Sequence, residues 1–183
     1  GEEFYPDEPI GGHFLLMRIP PITKENWRAA GDAVLGEISR RGIRHAFFVG
    51  VGDASSIVQH LALLAPKLTR TLVLVDSPTR PHPSKGNRLV DRIEKLLPLG
   101  LPLRMASKGF DSKPFLQRIR CPVLIVSSAK ATLFQRSEAM TLSVGLPTAW
   151  HLTLTRENER EEFQEILQSF REVAAKCPQR KPA

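Results

Sequence analysis

The stretch FFVGVGDASS, from Phe47 to Ser56, is an apolar run that breaks at glycine and continues into small polar residues. That order describes a strand that ends in a tight turn and feeds directly into a helix. Small residues are needed there because the backbone reverses sharply and the helix leaves close over the strand. Turns of this kind carry a nucleophile in some proteins and cradle a phosphate in others. At the tip of this one stands Gly52, which has no reactive atom.

Working outward from the turn, five apolar stretches read as strands, at residues 14–19, 45–50, 71–76, 121–128 and 148–154. The middle three are near-continuous runs of Val, Leu, Ile and Phe. Such runs belong to strands buried on both faces, hence to a parallel sheet covered by helices. Between them lie helical patterns. Trp27, Ala30, Val34, Leu35 and Ile38 recur at three and four, and the pattern closes near Gly42. Ile57, Leu61, Leu64 and Ala65 give a second helix that stops before Pro66. Leu89, Ile93 and Leu96 give a third, and Phe163, Ile166, Leu167, Phe170 and Val173 a terminal one. Strand and helix alternate, which predicts an α/β fold with an open, mostly parallel sheet and helices on both faces.

The expected organisation is a single domain over 14–176, after an N-terminal extension at 1–13 and before a disordered tail at 177–183. Residues 78–115 break the alternation. Pro78, Pro81, Pro83, Pro98, Pro102 and Pro114 fall there around one helix, as in an insertion between two core strands.

The 183 residues suit one sizeable core, and no apolar run reaches the length of a membrane span. The start, GEEFYPDEPIGG, is acidic and proline-bearing, unlike a signal or transit peptide. It lacks an initiator Met, which fits a cleavage point at Gly1 and leaves open whether a segment is missing upstream. Cys121 and Cys177 lie far apart without metal spacing, so no metal is expected, and the cysteine usage points to the cytoplasm or another reducing compartment. The net charge is +7, with basic clusters at Arg40, Arg41 and Arg44, at Lys85, Arg88, Arg92 and Lys95, and at Arg104, Lys108 and Lys113. Nucleic acid, an anionic surface or an acidic partner would suit that charge, and so would a merely solvated face. Aromatic residues do not interleave with the clusters, which argues against a single-strand stacking platform.

The turn admits a cofactor reading. Gly50-Val51-Gly52 follows a strand and opens a helix, and Asp76 ends the next strand, where a carboxylate can hold a ribose hydroxyl. Gly50, Gly52 and Asp76 would then bind a nicotinamide cofactor, NAD(P), or S-adenosylmethionine. Ser55 replaces the third glycine, and Asp53 sets a negative charge where a pyrophosphate would lie. The turn also admits comparison with the G-x-S-x-G nucleophile elbow, whose five positions here read Gly50, Val51, Gly52, Asp53 and Ala54. The serine is a glycine. Ser55 and Ser56 follow within the first helical turn, aimed away from the apex.

The wider context resembles the α/β-hydrolase superfamily. GDASSIVQHLALLAP (52–66) and KLTRTLVLVDSP (67–78) resemble the helix and strand that follow the elbow in those proteins, and LQRIRCPVLIVSS (116–128) their late strand. The proline-rich insertion corresponds to their cap. The resemblance implies an acid just after the late strand and a base histidine after the last one. The first position reads Ala129-Lys130-Ala131, with Glu138 the next carboxylate. The second reads Thr155-Arg156-Glu157-Asn158-Glu159. His13, His45, His60, His82 and His151 all fall elsewhere and read as structural. A triad needs nucleophile, base and orienting acid within reach of one another, and all three expected positions are empty.

The run VGVGDASSIVQHLALLAPKL further resembles the N-myc downstream-regulated protein (NDRG) family, as do Cys121, Pro122 and Val126 in the late strand and, loosely, residues 89–107 as cap helices. That likeness implies a pseudo-hydrolase without cofactor, acting through protein or small-ligand binding above a floor of Gly52, Asp53 and Ala54. This chain departs from the family in its shorter cap and in Asp53. The resemblance also implies a strand upstream of residue 14 that fills the sheet and an oxyanion loop after it. A protein partner, a homo-oligomer or a missing segment is therefore expected to complete the sheet. The alternatives are the cofactor-binding enzyme, a residual esterase using Ser55 or Ser56, and a basic subunit of a larger assembly.

Overall fold

The computed structural model describes residues 15, 17, 26–79, 111–155 and 158–176. Its elements run in the order α1 (Trp27–Arg40), β1 (Ala46–Val51), α2 (Ala54–Leu64), β2 (Thr69–Val75), a 3₁₀ turn (Lys113–Arg118), β3 (Val123–Ser127), α3 (Leu133–Gly145), β4 (Ala149–Thr153) and α4 (Glu159–Lys176). The four strands pair in parallel in the order β1-β2-β3-β4. The open parallel sheet expected from the apolar runs is therefore present.

The runs LVLV in β2 and VLIV in β3 are explained by the two layers they serve. Successive side chains point to opposite faces of a strand. Leu72, Leu74, Val123 and Ile125 face one layer, with Val34 and Ile38 of α1, Ile57 and Leu61 of α2, and Ala139 and Leu142 of α3. Val73, Val75, Leu124 and Val126 face the other, with Phe163, Leu167 and Phe170 of α4. Full burial of each such side chain stabilises the fold by about 1.5–3 kcal/mol. Gly42, at φ +65°, ends α1 as its sequence position implied.

The strands differ from expectation by one to two residues at their ends. Cys121 lies just before β3 rather than in it. Burial pushes its thiol up to about 12. Of the strand expected at 14–19, only residues 15 and 17 are described, and neither lies in a strand. Met17 packs against the core layer of α1 and α2. The extension at 1–13, the helix at Leu89–Leu96 with most of the insertion, His13, His82, Cys177 and the tail at 177–183 lie outside the described residues.

Helix α3 has no counterpart in the expected pattern. Its start carries a capping box, in which Gln135 N donates to Thr132 Oγ1 (3.3 Å) and Thr132 N donates to Gln135 Oε1 (2.8 Å). Its amphipathic signal is blurred because the outward face carries Leu133, Phe134, Met140 and Val144. Among the described residues, no helix is long and apolar enough to cross a membrane.

Candidate functional site

The elbow is built by two glycines with different tasks. A Cβ on Gly50 would lie 2.5 Å from Ser55 Cα and 2.6 Å from Val58 Cγ2. Helix α2 therefore crosses β1 so closely that only glycine fits beneath it. Gly52 adopts φ +58°, and a Cβ there would meet nothing within 4 Å. It is the apex, left-handed and facing open space. Its N–H donates to Val75 O (2.9 Å), which fastens the turn to the end of β2. Gly52, Asp53 and Ala54 lie together at the C-terminal edge of the sheet, half-buried.

The two serines after the apex turn back into the protein. Ser55 Oγ lies 2.5 Å from both Gly52 O and Ser77 Oγ, and Ser56 Oγ donates to Asp53 O at 2.7 Å. Both side chains are buried. Beneath them Gln59 Nε2 donates to Ser77 Oγ (2.9 Å) and Pro78 O (3.3 Å), so α2 and the end of β2 share one polar cluster. These hydroxyls bond the turn and its neighbours, with no histidine among their hydrogen-bond partners here.

Asp76 stands beside the turn, at the end of β2. Its Oδ1 accepts from Ser128 N (2.9 Å), and its own N–H donates to Val126 O (2.9 Å). The residue sits at φ +46°, a conformation that Asp tolerates because its short side chain bonds locally. One carboxylate oxygen is thus engaged with the end of β3.

After β3 the chain reads Ser128, Ala129, Lys130 and Ala131, closed by a bond from Ala131 N to Ser128 O (3.0 Å). Glu138, the next carboxylate, is buried on α3. Its Oε2 accepts from Thr79 N (2.7 Å) and from Thr79 Oγ1. That contact ties α3 to the chain leaving β2. After β4, Thr155 N donates to Glu162 Oε2 (2.9 Å), and residues 156 and 157 lie outside the described part.

The histidines are dispersed. His45 pairs with Arg70 Nη2 (2.9 Å) at the N-terminal ends of β1 and β2, opposite the elbow. His60 packs edge-on to Trp27, ring centroids 4.7 Å apart. Burial, reinforced by the Arg28 charge and opposed by Asp32, lowers its pKa. His151 Nε2 lies 3.0 Å from Ser127 Oγ, and burial lowers its pKa as well. Sequence reading missed this serine–histidine pair, because the register that brings β4 beside β3 is written in neither strand. Ser127 is 1% exposed, so its hydroxyl fills a polar gap between strands instead of meeting solvent. Among the described residues, no group of three His, Cys, Asp or Glu could hold a metal ion.

A parallel sheet, a left-handed apex after its first described strand and a helix crossing immediately over that strand are features of the α/β-hydrolase fold. Solved structures share it. A hydrolase from Pseudomonas aeruginosa PA01 matches at 18% identity and TM-score 0.59, over 87% of this chain and 75% of that one. A thermophilic esterase from Thermogutta terrifontis matches at 15% and 0.61, over 86% and 76%. An enol-lactonase from Burkholderia xenovorans LB400 matches at 16% and 0.57, over 85% and 74%. At these identities the likeness carries the fold alone. No family model and no curated protein matches the sequence.

Proposed function

We propose that this chain is a pseudo-hydrolase, an α/β-hydrolase-fold protein that acts in the cytoplasm by binding a small ligand or a protein. The observation that carries the reading is the apex. Gly52 keeps the left-handed turn and the open space above it but offers no nucleophile. Supporting it, the position after β3 holds no carboxylate, and no histidine follows β4 in the sequence. Ser55 and Ser56, the nucleophiles of the esterase alternative, are buried and bonded to backbone carbonyls. For the cofactor alternative, Gly50 has a packing reason to be glycine, and Asp76 has a partner in Ser128.

The bare apex supports the likeness to the N-myc downstream-regulated family, as does the Cys121-Pro122 entry to β3. On this reading the ligand rests on Gly52, Asp53 and Ala54 at the positive end of the α2 dipole, while the N–H groups of Ser55 and Ser56 stay bonded to Gly52 O and Asp53 O. No cofactor is required. A thermal-shift screen with metabolites, including nicotinamide cofactors and S-adenosylmethionine, tests the small-ligand arm. A ligand at about 100 times its Kd stabilises by about 2.7 kcal/mol, and Gly52→Asn should abolish the shift by filling the space. Silence across the panel leaves the protein-binding arm. A cofactor that still stabilises Gly52→Asn but not Asp76→Ala would replace the reading with the cofactor alternative.

A further inference from the structure

Helix α3 shows solvent an apolar face that the elbow does not explain. Leu133 is 87% exposed, Val144 78%, Met140 58% and Phe134 55%. Isolated exposed apolar residues are ordinary, but four on one thirteen-residue helix form a patch. Beside the C-terminal half of the helix lies an open groove of about 520 Å³, lined by Lys113 and Leu116 of the 3₁₀ turn and by Ser137, Met140, Thr141, Val144 and Gly145 of α3. The large apolar knobs Leu133 and Phe134 sit at the other end of the same helix.

The pattern is self-complementary. Leu133, Ser137, Met140 and Val144 are spaced four, three and four apart, the spacing of a helix–helix seam. Read backwards, the spacing is unchanged. An antiparallel copy about a two-fold axis therefore meets it in register. Leu133 of each chain falls opposite Val144 of the other, and Met140 opposite the small Ser137. The same operation carries each copy's Leu133 and Phe134 to the partner's groove, so knob and hole are matched twice.

The local charge at this face does not oppose that occupant. A chain of net charge +7 repels its own copies unless they meet where charge is sparse. The seam residues are uncharged, and Arg136 turns its guanidinium toward its own Ala129 carbonyl (Nη2 to O, 3.3 Å). Among the described residues, Lys113 is the one charged residue lining the groove.

We propose that this face of α3 is a homodimer interface, two copies packing antiparallel across a two-fold axis. It stands independently of the reading of the elbow. A single helix pair is a smaller contact than the about 800 Å² per partner of stable interfaces, so the dimer is weak, with a Kd in the micromolar range.

Sedimentation equilibrium on the full chain, from about 5 to 500 µM, spans that range. The weight-average mass should rise with concentration from 20.4 kDa toward double that value. Leu133→Asp and Val144→Asp should each weaken association at least tenfold. Both sites are exposed, so folding is unaffected, as circular dichroism melting would verify. Val173→Asp on α4, in the opposite layer, should leave association unchanged. In a mixture of Ser137→Cys and Met140→Cys chains, both also carrying Cys177→Ser, air oxidation should give a crosslinked dimer joined between residues 137 and 140, formed in higher yield than in either variant alone. A monomer at every concentration overturns the proposal, whether another part of the chain or a different protein covers the face. So does a dimer indifferent to Leu133→Asp and Val144→Asp.

Discussion

Gly50 and Gly52 stand two residues apart in the same turn, yet their replacement by alanine should cost different amounts for different reasons. At Gly50 the new methyl group would sit 2.5 Å from Ser55 Cα and 2.6 Å from Val58 Cγ2. Ordinary carbon contacts begin near 3.5 Å, so α2 would have to shift by about 1 Å. The first obstacle is backbone, which cannot rotate away. Overpacking of this kind costs about 3 kcal/mol, the upper end of its usual range. At Gly52 the methyl group meets nothing within 4 Å, and the cost is that of holding a non-glycine residue at φ +58°. That strain is about 1–2 kcal/mol, partly offset by the lower entropy of the unfolded alanine chain, leaving about 1 kcal/mol. For a chain of this length, 1 kcal/mol moves Tm by about 2–4 °C. Urea unfolding should place Gly50→Ala about 2 kcal/mol below Gly52→Ala at unchanged m-value. Gly52→Asn should be milder than Gly52→Ala, because Asn tolerates the left-handed region. Equal losses at 50 and 52, or the reverse order, would refute the assignment of one glycine to packing and the other to the apex.

The two half-buried histidines set a pH dependence. His60 and His151 both have folded pKa values below the ordinary histidine value, chiefly through burial. The unfolded chain then binds more protons as pH falls through about 6.5, so stability is full above that value and declines below it. Urea midpoints from pH 8 to 5 should show the decline, and His60→Gln should flatten it. Glu138→Ala leaves the Thr79 N–H without its acceptor and should cost about 1–3 kcal/mol, measured by urea unfolding. Glu138→Gln keeps a carbonyl oxygen in reach and should cost less.

The sheet was legible because burial on both faces writes itself as unbroken apolar runs, and LVLV and VLIV could serve nothing else. The turn was legible because a glycine pair between such a run and a helical pattern has few alternatives. The division of labour between Gly50 and Gly52 was not, since steric crowding and positive φ both appear in sequence as glycine. Helix α3 escaped notice because its outward face is apolar, which removes the contrast that marks an amphipathic helix. The Thr79–Glu138 contact and the Ser127–His151 pair depend on how distant segments meet. Asp76 reads in sequence as a candidate ligand for a ribose, while in the fold its carboxylate reaches the first N–H after β3.

The central claim is that the elbow performs no acyl transfer, and ester turnover tests it most directly. Purified protein should hydrolyse p-nitrophenyl acetate and butyrate no faster than the same sample after denaturation. Ser55→Ala and Ser127→Ala should leave that background unchanged. Turnover well above background that disappears on replacing one of these serines would contradict the account.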